Sequence, residues 1–249
     1  MKYFICAMMS LNFCLSVYAA SITHWGEKVS VGNGYARTYI KLKNKIPQSM
    51  GIALSASATS GLNHGMKEYL LPLPKSAKVH PIKHVTLDWN PYGHEPGGVY
   101  DRPHFDFHFY FISNKLRQSI TCQDDDAPFC LETPDEDSLV IDYAPTPEGV
   151  PKMGWHWVDL LAPEFNGGIF TRTFLYGYYA GNLIFIEPMV TVDYLLNKKT
   201  SHNAIRVPKQ FPYQQGHYPT NYTIFYDEIN NLHKIELNAF KDQDFGTIE

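Results

Sequence analysis

The sequence predicts an all-β, mainly antiparallel domain, a sandwich or barrel with few short helices. Three observations predict it. Short apolar runs recur between turn signals, no window sustains a helical period, and the composition favours strands and turns: 17 Gly, 17 Pro and 17 Tyr among 249 residues, with 18% charged. A hydrophobic fraction of 44% is enough to fill a large core, which excludes intrinsic disorder. A net charge of −4 offers no basic face to nucleic acid.

The elements follow in chain order. Gly32-Asn33-Gly34 reads as a turn, not a phosphate loop, since it lacks the Lys-Ser/Thr of a P-loop and a following helix. Strands are expected at Ala36–Leu42, Gly51–Ala56, Ile82–Leu87 and Pro103–Ile112. Between Gln118 and Pro151 there is no Lys or Arg, and acids crowd the stretch from Asp124 to Glu148. It lacks the regular spacing of a calcium loop and reads as a solvated acidic excursion, separating two halves of one domain. Leu139–Tyr143, Ile169–Tyr176 and Leu183–Met189 are further strands, Thr191 caps a short helix through Leu196, and Tyr222–Tyr226 and Leu232–Phe240 flank a hairpin turn.

Residues 1–20 read as a secretory signal peptide. Lys2 gives the positive start, Tyr3–Val17 the apolar stretch, and Val17-Tyr18-Ala19 a cleavage site, leaving one β-rich domain over 21–249. The expected product is exported, periplasmic or secreted, and carries no membrane span after cleavage. Cys6 and Cys14 leave with the signal. Cys122 and Cys130 remain and are expected to close part of the 118–151 excursion as a disulfide.

The chemistry concentrates in Trp89–Phe111. On a strand alternate side chains share a face, so Phe105, Phe107, Phe109 and Phe111 form one stripe and His104, Asp106, His108 and Tyr110 the other. His104 and His108 then stand roughly 13 Å apart, too far to share one ion on a straight strand. The Gly- and Pro-rich loop carrying His94 and Glu95 is placed to fold over that polar face. Met153–Asp159 alternates and turns His156 away from its tryptophans. Leu183–Met189 sets Glu187 in an apolar run, where a carboxylate must be paired, protonated or metal-bound. Candidate metal ligands are therefore His94, His104, His108, His156 and Glu187, for one divalent ion such as zinc, manganese, iron or nickel. Glu187, Asp106 and Glu95 are candidates for general base. The bland alternative is a metal-free network pairing Asp106 with His156, and Glu187 with His104 or Tyr110. His80, His84, His202, His217 and His233 read as ordinary surface or loop histidines. Neither a nucleophile elbow nor a free cysteine supports covalent catalysis.

Gly32–Leu42, Asp88–Phe111 with its His-Phe-Asp-Phe-His-Phe-Tyr run, Met153–Asp159, and Tyr176–Met189 ending in Phe-Ile-Glu-Pro-Met carry a resemblance. The chain resembles a bacterial family of β-rich domains typified by a structurally determined protein from Thermus thermophilus. The resemblance implies a compact β-rich domain, often exported, with no established activity, and marks the cysteine loop as an addition. Two function classes are open. One is a non-catalytic envelope protein that binds a small-molecule ligand or assembles with itself. The other is a metal-dependent hydrolase or lyase. Whether the protein is an enzyme is left undecided at this level.

Overall fold

The computed structural model describes residues 20–213 and 216–242; apart from Ala20, the expected signal peptide lies outside the described residues. Among the described residues, fourteen strands form two antiparallel sheets. The first, here the frame sheet, contains β1 (Ile22–Trp25), β2 (Val29–Val31), β3 (Gly34–Lys43), β4 (Ile46–Ser55), β12 (Ser201–Ala204), β13 (His217–Asp227) and β14 (Leu232–Asp242). Its order is β1-β3-β4-β14-β13-β12, with β2 also on β3. The second, the site sheet, contains β5 (Lys67–Leu71), β6 (His84–Asn90), β7 (His104–Tyr110), β8 (Tyr143–Val150), β9 (Gly154–Asp159), β10 (Arg172–Tyr179) and β11 (Asn182–Thr191), ordered β5-β6-β7-β11-β10-β9-β8. The chain thus builds the frame sheet from both ends, with β4 paired to β14, and inserts the whole site sheet between them.

Local sequence explains the joints. Asn44-Lys45 between β3 and β4, and Ala180-Gly181 between β10 and β11, hold positive φ at both turn residues, the twist that suits a two-residue hairpin. Asp227↔Leu232 closes the β13–β14 hairpin, where Asp227 accepts the Asn230 backbone N–H. Thr191 caps the short helix α3 (Val192–Leu196) by accepting from the Tyr194 backbone N–H. The two other short helices are α1 (Asn114–Ser119) and α2 (Ala127–Cys130).

The shared core lies between the sheets. Ile40, Ile52, Ile224 and Ile235 face Val85, Leu87, Phe105, Phe107, Phe109, Ile186 and Val190, all buried. The four phenylalanines 105, 107, 109 and 111 are fully enclosed, each contributing roughly 2–3 kcal/mol of burial. Their strand packs on the frame sheet through this stripe, leaving its other face outward. No helix among the described residues is long and apolar enough to cross a membrane.

Four expectations need correction. The acidic excursion does not divide the chain into halves: it lies wholly within the site sheet and supplies that sheet's edge strand β8. Leu139–Tyr143 is not a strand, because a turn at Ile141-Asp142, with Asp142 at positive φ, delays pairing until Tyr143. His84 is buried, stacked on Tyr110 with Nδ1 3.0 Å from the Ile112 carbonyl. His233 is buried on β14 beside Tyr226. Pro81 near a strand edge at His84, and a polar, turn-adjacent context at His233, suggest surface or loop histidines, whereas sheet pairing encloses both.

Cys122 and Cys130 are joined, with Cα atoms 5.2 Å apart. Asp126 organises this loop by accepting the backbone N–H groups of Thr121 (2.7 Å) and Cys122 (2.8 Å), and the Tyr179 hydroxyl. The loop also rests on the edge strand: a Cβ on Gly149 would lie 2.3 Å from the Cys130 sulfur, so only glycine lets β8 pass beside the disulfide.

Burial, and then the Lys198 charge, push His233 down to about 4. The unfolded chain takes up this proton near pH 6.5, before the folded one. Stability from this group is therefore complete above that value and falls as pH drops towards about 4. His233→Gln should flatten the decline of Tm between pH 7 and 4.5. A decline of unchanged steepness, read by circular dichroism, would remove His233 from the cause.

Candidate metal centre

The site is the outward face of the site sheet. Strand β7 sends His104, Asp106, His108 and Tyr110 to that face, all buried although they point away from the core. Register then sets their neighbours. On β6, Asn90 lies opposite His104 and Asp88 opposite Asp106. On β10, Leu175 lies opposite Glu187 of β11, and Gly177 opposite both Phe185 and His156 of β9.

Two apolar groups flank the polar one. Tyr100, Val158, Phe170, Leu175 and Met189 pack on one side. Tyr110, Ile112, Ile120, Ile184 and Phe185 pack on the other, joined by Cys122 and Met153. Between them a cavity of about 590 Å³ opens over Asp88, Asn90, Asp106, His156 and Glu187. Residues 146–150 of β8 and the 94–96 loop form parts of its rim.

The six residues fall into two triads. The first is His94, His104 and Asp106, the second His108, His156 and Glu187; within each, the ligand atoms lie within 4.8 Å of one another. The loop carrying His94 does fold over β7: its ring centre is 4.8 Å from that of His104, and its Nε2 is 3.4 Å from Asp106 Oδ2. His104 Nε2 is 3.0 Å from Asp106 Oδ1. In the second triad His108 Nε2 and His156 Nε2 stand 3.4 and 3.5 Å from the two Glu187 oxygens.

The first triad's tautomers follow from its backbone contacts. His94 Nδ1 lies 2.7 Å from the Glu95 carbonyl and His104 Nδ1 2.6 Å from the Arg102 carbonyl. A carbonyl only accepts, so each Nδ1 carries a proton. In the neutral rings both Nε2 lone pairs then face one carboxylate, lone pair against lone pair. Asn90 relieves part of this by donating to Asp106 Oδ2 at 2.6 Å, while buried Asp106 Oδ1 has no hydrogen-bond donor. A proton on one imidazole or a cation between the three groups resolves the conflict. Protonating both imidazoles leaves a positive charge that Asp106 alone does not balance.

The electrostatics are those of a crowded, dry site. Burial raises the Asp106 carboxyl, but His104 and His94 outweigh it and hold the group well below the usual range. Burial, then the Asp106 and Asp88 charges, push Glu187 well up. His156 is pushed down to about 3 by burial, His108 and His94, so it is a neutral donor of a lone pair. Burial lowers His94, but Asp106 more than offsets this and the net shift is upward. Burial also lifts the Tyr100 hydroxyl, which lines the cavity without a hydrogen-bond partner.

The metal-free pairing expected from sequence is not the one formed. Asp106 meets His94 and His104 rather than His156, and Glu187 meets His108 and His156 rather than His104 or Tyr110. Glu95 joins neither triad. It is exposed on the cavity rim, where its carboxylate accepts the Gly97 backbone N–H at 2.7 Å. Asp88, Asn90 and Tyr100 were missed. The alternation of β6 runs on through Asp88-Trp89-Asn90, which puts both polar groups on the site face, so continuing that strand beyond Leu87 would have found them. No family model matches the chain, and no curated protein or solved structure is significantly similar to it.

His156 reaches Glu187 across the intervening strand β10, where Gly177 has no side chain. A Cβ there would sit 2.0 Å from the Phe185 ring, which fills the space. Gly177→Ala is expected to cost about 1–3 kcal/mol through overpacking against the Phe185 ring. Denaturant unfolding checks this; a variant as stable as the parent would mean the Phe185 ring is free to move.

Proposed function

We propose that the outward face of the site sheet binds a divalent transition metal through His94, His104 and Asp106, and that the protein is a metal-dependent hydrolase or lyase acting on a small molecule held in the cavity above. One observation carries this reading: two imidazoles whose Nδ1 protons are committed to backbone carbonyls aim their remaining lone pairs at a single buried carboxylate. Two imidazoles and a carboxylate suit zinc, manganese, iron or nickel, and a backbone carbonyl behind each ring is the usual outer support of a metal-bound histidine. The His94–Asp106 spacing of 3.4 Å also suits this. Ligand atoms around a tetrahedral ion with bonds of 2.0–2.1 Å stand roughly 3.3–3.4 Å apart, whereas a charge-assisted hydrogen bond is nearer 2.7–2.9 Å.

Three protein ligands leave a coordination position for water or substrate, and a metal there lowers the pKa of a bound water or polarises a substrate oxygen. The chain's own groups supply the rest. Tyr100 offers an unpartnered hydroxyl to a ligand, Leu175, Met153 and Pro147 give the cavity apolar walls, and Glu187 holds a proton that a substrate can take. The Cys122–Cys130 link supports export to an oxidising compartment.

Elemental analysis of protein purified without chelator tests the reading. Near-stoichiometric metal is expected, falling at least tenfold in affinity in His104→Ala and Asp106→Asn, with Glu95→Gln unchanged. Metal-free protein that stays metal-free after reconstitution would refute it and leave the triads as hydrogen-bonded structure around a ligand cavity.

A further inference from the structure

We infer that His108, His156 and Glu187 form a second divalent-cation site beside the first, so that the face carries two cations rather than one. This rests on the metal reading of the first triad but on different observations. Sheet geometry comes first. His104 and His108 lie four residues apart on one strand, roughly 13 Å, and each has its own carboxylate, Asp106 and Glu187 respectively. A single ion does not serve both.

The second triad is also built like a ligand set. Its spacings of 3.4 and 3.5 Å match the edges of a metal polyhedron and are long for hydrogen bonds between a carboxyl and an imidazole. The residues are buried, with Glu187 only 1% exposed. Even so, Glu187 Oε2 and both ring nitrogens of His108 lack a directional hydrogen bond. Buried polar atoms are rarely left so, and two of these, His108 Nε2 and Glu187 Oε2, are gathered at one place and point to an occupant, while Nδ1 faces away from it. Behind the His108 ring, Asp88 Oδ2 stands 2.9 Å from Nδ1, the position of the outer carboxylate in a carboxylate–histidine–metal arrangement. Thr86 holds Asp88 there by donating to the same oxygen at 3.2 Å.

The cation expected is of borderline softness, zinc, cobalt or manganese, since imidazole and carboxylate are the donors.

The test is a titration of chelator-stripped full-length protein with Co2+, reading bound metal per chain and the visible spectrum. Two equivalents are expected, with Glu187→Gln and His156→Gln each retaining one, and Asp106→Asn retaining the other. Circular dichroism checks that the variants fold, and the wild-type count stands without them. One equivalent in the wild type, lost in Asp106→Asn and kept in Glu187→Gln, would overturn the second site and leave the first. One equivalent lost in Glu187→Gln and kept in Asp106→Asn would overturn both the two-ion arrangement and the role given to the first triad. No bound cobalt would remove both.

Discussion

The two-sidedness of β7 is the constraint on which the rest depends. Its phenylalanines are fully enclosed against the frame sheet, and because a strand alternates, the same residues that anchor it must turn two histidines and an aspartate outward. That face is nonetheless buried. The 94–103 loop, the disulfide-bearing excursion and residues 146–150 of β8 border it, so the polar groups are removed from bulk water largely by segments outside the two-sheet contact. A one-residue slip of β7 would exchange both faces at once and lose the core and the site together.

Covering such a face has an electrostatic consequence. Asp88, Asp106 and Glu187 compete for positive charge in a small dry volume, and the chain resolves this unevenly. Asp106 stays ionised beside His104 and His94, while Glu187, buried and facing the Asp106 and Asp88 charges, is driven towards its protonated form. A cation inverts that balance, because it favours the ionised carboxylate and the neutral imidazole together. Metal uptake at these triads, as proposed, would therefore be coupled to proton release, and His156, already neutral, would present its lone pair with no proton to lose.

The topology divides labour between the sheets. The frame sheet closes the chain's two ends on each other through β4 and β14. The site sheet lies between them in sequence and takes the loops, both flanking apolar groups and the cavity. Within it two glycines decide reach rather than turns. Gly177 leaves room for the Phe185 ring beside His156, and Gly149 lets the disulfide brace the strand that forms part of the rim.

Much of this was legible in the residues themselves. Alternation in the His104–Phe111 run determines which side chains share a face, and an apolar run around Glu187 marks a carboxylate needing a partner; both are local properties with a period of two. The long central strands β3, β4, β6, β7, β10, β11, β13 and β14, the short helix after Thr191 and the pairing of the two downstream cysteines are likewise short-range features, whereas β1, β2, β5, β8 and β12 carry too weak an apolar run to be found locally and β9 shows only its alternation. Register and layer are not short-range. Which carboxylate meets which imidazole depends on how β6, β9 and β11 slide against β7, and a shift of two residues in any of them preserves every local pattern while changing every partner. His84 and His233, polar in sequence and buried in the fold, show the same limit. The sequence determined what each strand turns inward and outward, because that is fixed by backbone geometry within the strand. Only the tertiary structure decided that the outward groups divide into two triads, because that division is made by hydrogen bonding between strands far apart in the chain.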